Sequence, residues 1–387
     1  MSSRLKILVV DDSVVVRRML SEMLSRDPAI ESVSTASNGK IALARISQVH
    51  PDAIVLDVEM PEMDGLQTVA EIRRFNKTLP VIMFSTVTAR GASATLDAIA
   101  LGANDYVTKP STRSGTLGQL GLVYQELVDK IKAHCHFDAN PVDGYASRTN
   151  HSVGSAASII APPPITLPGV HLSIAKPVVS APIDAIAIGV STGGPNALAA
   201  LLPSFLSDLA VPVFIVQHMP RLFTKLLAER LSSKMQIPVD EARSGDVVTA
   251  GRVWLAPGDY HMIVKRVGAR VIVQTNQDSP ENSCRPAVDP LFRSVAETYG
   301  SRALGVIMTG MGQDGLRGCE AIRARGGQVL VQDEASSVVW GMPGFVARAG
   351  LADKIVPLSE LGAEIVRRTR KPEAPARPKN GSGGGKL

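Results

Sequence analysis

The chain has 387 residues, 45% of them hydrophobic, and a formal net charge of +5. That length suits two or three domains with buried cores, and no apolar run approaches the roughly 18 residues that a membrane-spanning helix needs. Met1-Ser2-Ser3-Arg4-Leu5 runs into a strand pattern without the apolar core of a signal peptide, and three cysteines without regular spacing (Cys135, Cys284, Cys319) suit a reducing, cytoplasmic setting.

From Lys6 to about Lys132, strand and helix patterns alternate as in a doubly wound α/β domain. Residues 7–10, 53–56, 81–84 and 105–108 are expected to be buried strands, each followed by polar residues: Asp11 and Asp12, Asp57, Ser85, and Lys109. Helices are expected from Asp12-Ser13 to Leu24 and from Gly65 to Arg74. The pattern collapses over residues 133–182, where Pro162-Pro163-Pro164 and further prolines mark a linker.

Order resumes at Ile183 with strands expected at residues 185–190, 213–217, 253–256, 262–267, 271–274, 303–308 and 329–332. Helices are expected at 195–202, 222–232, 288–299 and 315–325, and a hairpin around Gly268. The second domain is thus mostly parallel α/β with an antiparallel element. Arg367, Arg368, Arg370, Lys371, Arg377, Lys379 and Lys386 are read together as a solvated basic end, and residues 371–387 as a disordered tail.

In the first domain, three carboxylates converging on one sheet end repel each other, so Asp11, Asp12 and Asp57 suit a Mg²⁺ ion, which prefers oxygen ligands. One carboxylate can then attack phosphorus, with Lys109 holding the phosphoryl oxygens and Ser85 offering a hydroxyl. Taken singly, Asp11 or Asp12 also suits a helix cap. The joint pattern, including residues 57–65 (DVEMPEMDG) and 105–110 (DYVTKP), resembles the receiver domain of bacterial response regulators over residues 4–125. The resemblance implies a flavodoxin-like fold, Asp57 as phospho-acceptor and a sensor histidine kinase as donor. It also implies Mg²⁺ on Asp12, Asp57 and the Glu59 main chain, with Asp11 in the outer shell.

In the second domain, Gly189-Val190-Ser191-Thr192-Gly193-Gly194-Pro195 follows a strand and opens a helix. Such a turn presents a serine nucleophile beside free backbone N–H groups, and equally suits a phosphate loop or a helix N-cap. Of the domain's two histidines, His218 follows a strand and His261 opens one, so the strand-end rule favours His218 as base. Asp314, in the glycine-rich turn 309–315, is the favoured orienting acid; Asp259, Asp289 and Asp333 remain open. The same turn exposes N–H groups suited to an oxyanion. The order Ser, His, Asp differs from that of α/β-hydrolases and argues against a lipase. Cys284 is read as a bystander thiol, His134-Cys135-His136 as no metal site, and the segment 332–343 as loop and turn.

With these residues in view, residues 183–370 resemble the catalytic domain of the CheB family of chemotaxis protein-glutamate methylesterases. The motifs are residues 191–195 (STGGP), 217–220 (QHMP), 256–258 (APG), 309–312 with 314–315 (TGMG, DG), and 332–343. The resemblance implies a receiver (1–132), linker (133–182), catalytic domain (183–370) and tail (371–387). It also implies Ser191 as nucleophile, His218 as base, Asp314 as its partner, Thr192 beside the nucleophile and the Met311 amide as oxyanion donor. Demethylation and deamidation of glutamyl side chains on chemoreceptor cytoplasmic helices follow, with no cofactor at the hydrolase site. Asp259, Gln313 and Pro290 depart from the pattern, Pro290 interrupting a helix start. A DNA-binding output is disfavoured because no basic helix-turn-helix pattern follows the linker.

Overall fold

The structure is a computed structural model that describes residues 4–110, 117–137, 182–206, 210–235 and 238–369. Most of the expected linker and all of the expected 371–387 tail lie outside the described residues.

The first half runs β1 (Leu5–Val10), α1 (Val14–Leu24), β2 (Ile30–Ala36), α2 (Gly39–Val49), β3 (Ala53–Asp57), α3 (Gly65–Phe75), β4 (Val81–Ser85), α4 (Ala89–Ala100), β5 (Asp105–Thr108) and α5 (Leu117–His134). The strands pair in parallel in the order β2-β1-β3-β4-β5. The chain steps to one side of β1 and then crosses to the other, which opens a crevice above the carboxyl ends of β1 and β3. Helices cover both sheet faces, so β3 and β4 are buried along their whole length and are apolar up to the polar residue that ends each, Asp57 and Ser85. Ser13 rather than Asp12 caps α1, its hydroxyl accepting the Val16 N–H.

The second half runs β6 (Ala185–Val190), α6 (Gly194–Leu201), β7 (Val213–Gln217), α7 (Arg221–Met235), β8 (Val239–Glu241), β9 (Val253–Leu255), β10 (His261–Val267), β11 (Arg270–Asn276), α8 (Val288–Tyr299), β12 (Ala303–Ile307), α9 (Leu316–Ala324), β13 (Gln328–Gln332), α10 (Met342–Arg348), β14 (Lys354–Val356) and α11 (Leu358–Thr369). Seven strands form one parallel sheet in the order β14-β13-β12-β6-β7-β9-β8, and β10 with β11 makes a separate antiparallel hairpin. From β6 the chain builds outward through β7, then returns to add β12 on the other side. The switch point is therefore at β6.

Three expectations are corrected. The segment 332–343 is not loop throughout, because α10 begins at Met342 with Pro343 in its first turn, where its missing N–H costs nothing. Pro290 sits in the first turn of α8 for the same reason and does not interrupt it. Arg367 and Arg368 are no solvated tail: on α11 they lie 2.6 and 2.8 Å from the buried Glu364 carboxylate, and Arg367 above all holds that carboxyl down at about 2.

The two halves pack through α4 and β5 on one side and α6 and α7 on the other. Tyr106 stacks on Phe223 with ring centroids 4.6 Å apart and planes 8° from parallel. Arg230 donates to the Ser93 carbonyl and pairs with Asp97, both at 2.7 Å. Leu96, Ile99 and Tyr106 belong to the same buried cluster as Leu198, Phe223 and Leu227, so a single apolar core crosses the boundary.

Candidate functional sites

The carboxyl ends of β1, β3 and β5 bring Asp11, Asp57 and Lys109 together. Lys109 Nζ lies 2.7 Å from Asp11 Oδ2 and 2.9 Å from Asp57 Oδ1. Asp11 Oδ1 accepts the Ser13 N–H, and Asp57 Oδ1 accepts its neighbour's, from Val58. Burial pushes the Asp57 carboxyl up to about 6, with the Asp11 charge adding to it and Lys109 opposing. Asp11, Asp12 and Asp57 each offer an oxygen, and these oxygens lie within 4.8 Å of one another. An all-oxygen, partly solvated donor set of this kind suits a hard divalent ion such as Mg²⁺. The Glu59 side chain is paired with Arg90 at 3.0 Å. Ser85 is buried with its hydroxyl on the Gly91 carbonyl of α4 at 3.2 Å, which ties the strand end to that helix.

The second site lies at the switch point. Ser191 follows β6, His218 follows β7, and Asp314 follows β12. Val190 and Gln217 pair in register, so Ser191 and His218 leave adjacent strands side by side. His218 Nε2–H donates to Asp314 Oδ2 at 2.8 Å. Asp314 further accepts N–H groups from Val288 (2.6 Å), Gly315 (3.0 Å) and Asp289 (3.1 Å). Burial pulls the His218 imidazolium down, but its bonds to Asp314 and Cys284 outweigh this and carry it up to about 10. The rival acids are engaged elsewhere: Asp259 with Arg285, Asp333 with Ser336, and Asp289 with Asn282 and Gly318. His261 is a satisfied buried histidine, with Nδ1 accepting the Ala287 N–H and Nε2 3.1 Å from the Ser279 carbonyl.

The turns bear directly on Ser191. Its N–H donates to the Thr309 carbonyl, and the Thr309 hydroxyl donates to the Thr192 carbonyl, both at 2.9 Å. A Cβ on Gly310 would stand 2.8 Å from the Ser191 Cβ, so glycine lets the Met311 turn close over the serine. Among the described residues the Thr192 and Met311 N–H groups have no partner, which leaves both free to stabilise an oxyanion.

Several contributors escaped sequence reasoning. Gln217 Nε2 donates to the carbonyls of Ser191 (3.0 Å) and His218 (3.2 Å), holding both turns from one side chain. Asn282 Nδ2 bridges Asp289 and Asp314 at 3.0 Å each. Cys284, which reads from the sequence as a bystander thiol, places Sγ 3.6 Å from His218 Nδ1. From the first domain, Asp105 Oδ2 accepts the Gly193 N–H at 3.2 Å, and Asp105 is itself held in a buried pair with Lys130. No local pattern announces these contacts, since each of these side chains also reaches a segment at least 26 residues away.

Gly194 tests the Gln217 clamp. A Cβ there would come within 1.9 Å of Gln217 Oε1, and that side chain cannot swing away without releasing both carbonyls. Gly194→Ala is expected to lower turnover about 10²-fold through a shift on the order of 1 Å, with the fold retained. Steady-state rates beside a thermal melt would check this.

The CheB methylesterase family matches residues 186–365 and the response regulator receiver domain family matches residues 7–118. A protein of Trichodesmium erythraeum (strain IMS101), a protein-glutamate methylesterase/protein-glutamine glutaminase, is 53% identical over 365 residues, covering 94% of this chain and 99% of its own. One of the same name from Nocardioides sp. (strain ATCC BAA-499 / JS614) is 46% identical over 364 residues, 94% of this chain and 95% of its own. With a receiver fold joined to a hydrolase-like sheet and this degree of identity along nearly its whole length, the chain belongs to the protein-glutamate methylesterase/protein-glutamine glutaminase family.

Proposed function

We propose that this chain is a phosphorylation-activated hydrolase of the cytoplasm that removes methyl groups from glutamyl esters on chemoreceptor helices and deamidates receptor glutamines, so driving chemosensory adaptation. The convergence of Ser191, His218 and Asp314 on one switch point supports this best.

Asp314 fixes the ring of His218 by taking the Nε2–H bond, so Nδ1 is the nitrogen left to receive the Ser191 proton. Ser191 Oγ attacks the γ-carbonyl carbon, and the oxyanion falls to the Thr192 and Met311 N–H groups. Collapse breaks the ester bond; the His218 proton goes to the leaving oxygen and methanol departs. Water, deprotonated by His218, then cleaves the acyl-serine to free glutamate. On a glutamine side chain the same steps release ammonia.

Asp57 is the phospho-acceptor, and a sensor histidine kinase is the donor. Asp11, Asp12, Asp57 and the Glu59 main chain would hold Mg²⁺, which when bound offsets negative charge on the phosphoryl oxygens. Lys109 pairs with the phosphoryl group and Ser85 turns toward it, releasing the Gly91 carbonyl of α4. Because α4 carries Ser93 and Asp97, its shift loosens the Arg230 contacts and withdraws Asp105 from the nucleophile turn.

The test is methanol release from methylated receptor with and without a small phosphoryl donor and Mg²⁺. Wild type is expected to gain about 5- to 150-fold, the range of a coupling of about 1–3 kcal/mol, and Asp57→Asn to gain nothing. Arg230→Ala should raise the unphosphorylated rate. Equal responses of wild type and Asp57→Asn would refute the regulatory reading.

A further inference from the structure

We propose that Cys284 is a second nucleophile on His218, a modification site at which hydroperoxides and alkylating electrophiles react and thereby cover the base. Three observations carry it. The sulfur lies 3.6 Å from His218 Nδ1, while Asp314 holds Nε2 at 2.8 Å, so thiol, imidazole and carboxylate stand in line as nucleophile, base and orienting acid. The turn that delivers the sulfur is unusual. Glu281 and Cys284 exchange two backbone hydrogen bonds (3.2 and 2.8 Å), and between them Asn282 and Ser283 both adopt left-handed φ, 50° and 61°. Two successive non-glycine residues in that region are costly and persist only where the surroundings hold them. Here the hold is Asn282, whose amide donates to both Asp289 and Asp314. The turn is thus anchored on the same acid that orients His218.

The third observation is access. Cys284 is only half-buried, unlike Cys319, which is fully enclosed and whose thiol burial pushes well above its ordinary range. The neighbouring cations are committed elsewhere, Arg285 to Asp259 and Arg293 to Glu281, so the imidazole is the basic group that faces the sulfur.

The chemistry balances on these groups. The Cys284 proton passes to His218 Nδ1, and the sulfur attacks the terminal oxygen of a hydroperoxide. An S–O bond forms, the O–O bond breaks, and the departing oxygen takes the proton from His218. The thiol becomes a sulfenic acid and the peroxide is reduced to water or an alcohol. With an alkyl halide a C–S bond forms and halide leaves. Either product puts a bulkier group against Nδ1, the nitrogen that Ser191 needs. That blocking step rests on the function proposed above, whereas the reactivity of the thiol does not.

The experiment uses the full chain and limiting iodoacetamide, with labelling of each cysteine followed by peptide mass spectrometry. Burial alone can only slow a thiol, so the expected result is distinctive. Cys284 labels at least tenfold faster in the folded chain than in urea, and both His218→Gln and His218→Ala remove that gain. The Cys135 rate, read in the same samples, stays constant and reports an intact fold. Slower labelling of folded Cys284, or labelling indifferent to His218, overturns the proposal. Hydrogen peroxide is then expected to stop methanol release in step with Cys284 oxidation, dithiothreitol to restore it, and Cys284→Ala to be insensitive. Full methanol release with Cys284 oxidised overturns the block. Fast, His218-dependent labelling in a chain that releases no methanol from any receptor upholds the thiol site and refutes the esterase reading instead.

Discussion

Ser191→Ala is expected to cut methanol release from methylated receptor by about 10⁴- to 10⁶-fold, a loss of roughly 5–8 kcal/mol of transition-state stabilisation. The side chain removed makes no hydrogen bond among the described residues and is half-buried, so the thermal midpoint should barely move. The receiver site lies in the other domain, so phosphorylation of Asp57 by a small donor should proceed as before. His218→Ala should cost nearly as much, and the double variant little more, because a base without its nucleophile has nothing to activate. The rate that survives measures what the Thr192 and Met311 amides supply unaided. A Ser191→Ala chain within tenfold of wild type would remove serine from the mechanism. If that residual rate vanished on treatment with iodoacetamide, it would pass to Cys284.

The sequence makes some of this site legible and hides the rest for a physical reason. Parallel strands buried on both faces must be continuous apolar runs, and a polar residue directly after such a run must lie at the sheet's carboxyl end. Asp11, Asp57, Lys109, Ser191 and His218 sit at such positions and Asp314 lies in the turn that follows one, so the rule that sites gather at strand ends finds them. Short edge elements carry no such signal. β8, only Val239–Glu241, and β14, only Lys354–Val356, are too brief and too polar to show a period. The apolar run of β5 locates Asp105, but nothing local says that its carboxylate crosses to Gly193. Asn282, Cys284 and Gln217 fail in the same way, because their importance lies wholly in what they touch.

The contact between domains joins β5 of the receiver to the turn that follows Ser191. Asp105 opens β5, the strand whose far end carries Lys109, and it accepts the N–H of Gly193, the residue that caps α6 two positions after Ser191. Burial works against the Asp105 charge, yet Lys130 and His134 hold its carboxyl down at about 2, so it stays ionised at every physiological pH. A fixed negative charge at the amino end of α6 competes with any oxyanion forming beside the same turn. A charge of the receiver domain thus rests on the turn that follows Ser191.

Asp314→Asn is expected to lower kcat/KM by about 10⁴-fold and to change how the remaining rate depends on pH. Five donors surround this carboxylate: His218 and the Val288 N–H on Oδ2, and Asn282, Gly315 and the Asp289 N–H on Oδ1. An asparagine oxygen can serve the Oδ1 side only by turning its NH₂ toward His218. The amide then donates to Nε2 and drives the imidazole proton onto Nδ1, where Ser191 needs a lone pair. In wild type the base works only when neutral, so kcat/KM should climb with pH until His218 deprotonates near 10. Without the carboxylate the hydrogen bond that most raises His218 is gone, so the limb should move toward acid. Rates from pH 6 to 11 for both proteins decide this, and coincident limbs would show that Asp314 does not set the basicity of His218. Stability supplies a second reading. Burial opposes the Asp314 charge, but His218 and the surrounding N–H groups hold its carboxyl below the ordinary value. Its contribution to stability is therefore present above the unfolded pKa of about 4 and is lost as pH falls through the folded one. Urea midpoints of the asparagine variant should accordingly fall less on acidification than those of wild type. Asp289 works the other way: burial and then the Asp314 charge push it up to about 6, so removing that charge relieves it. The variant should thus lose much less stability at pH 7 than five displaced donors suggest, while the loss of rate stays large.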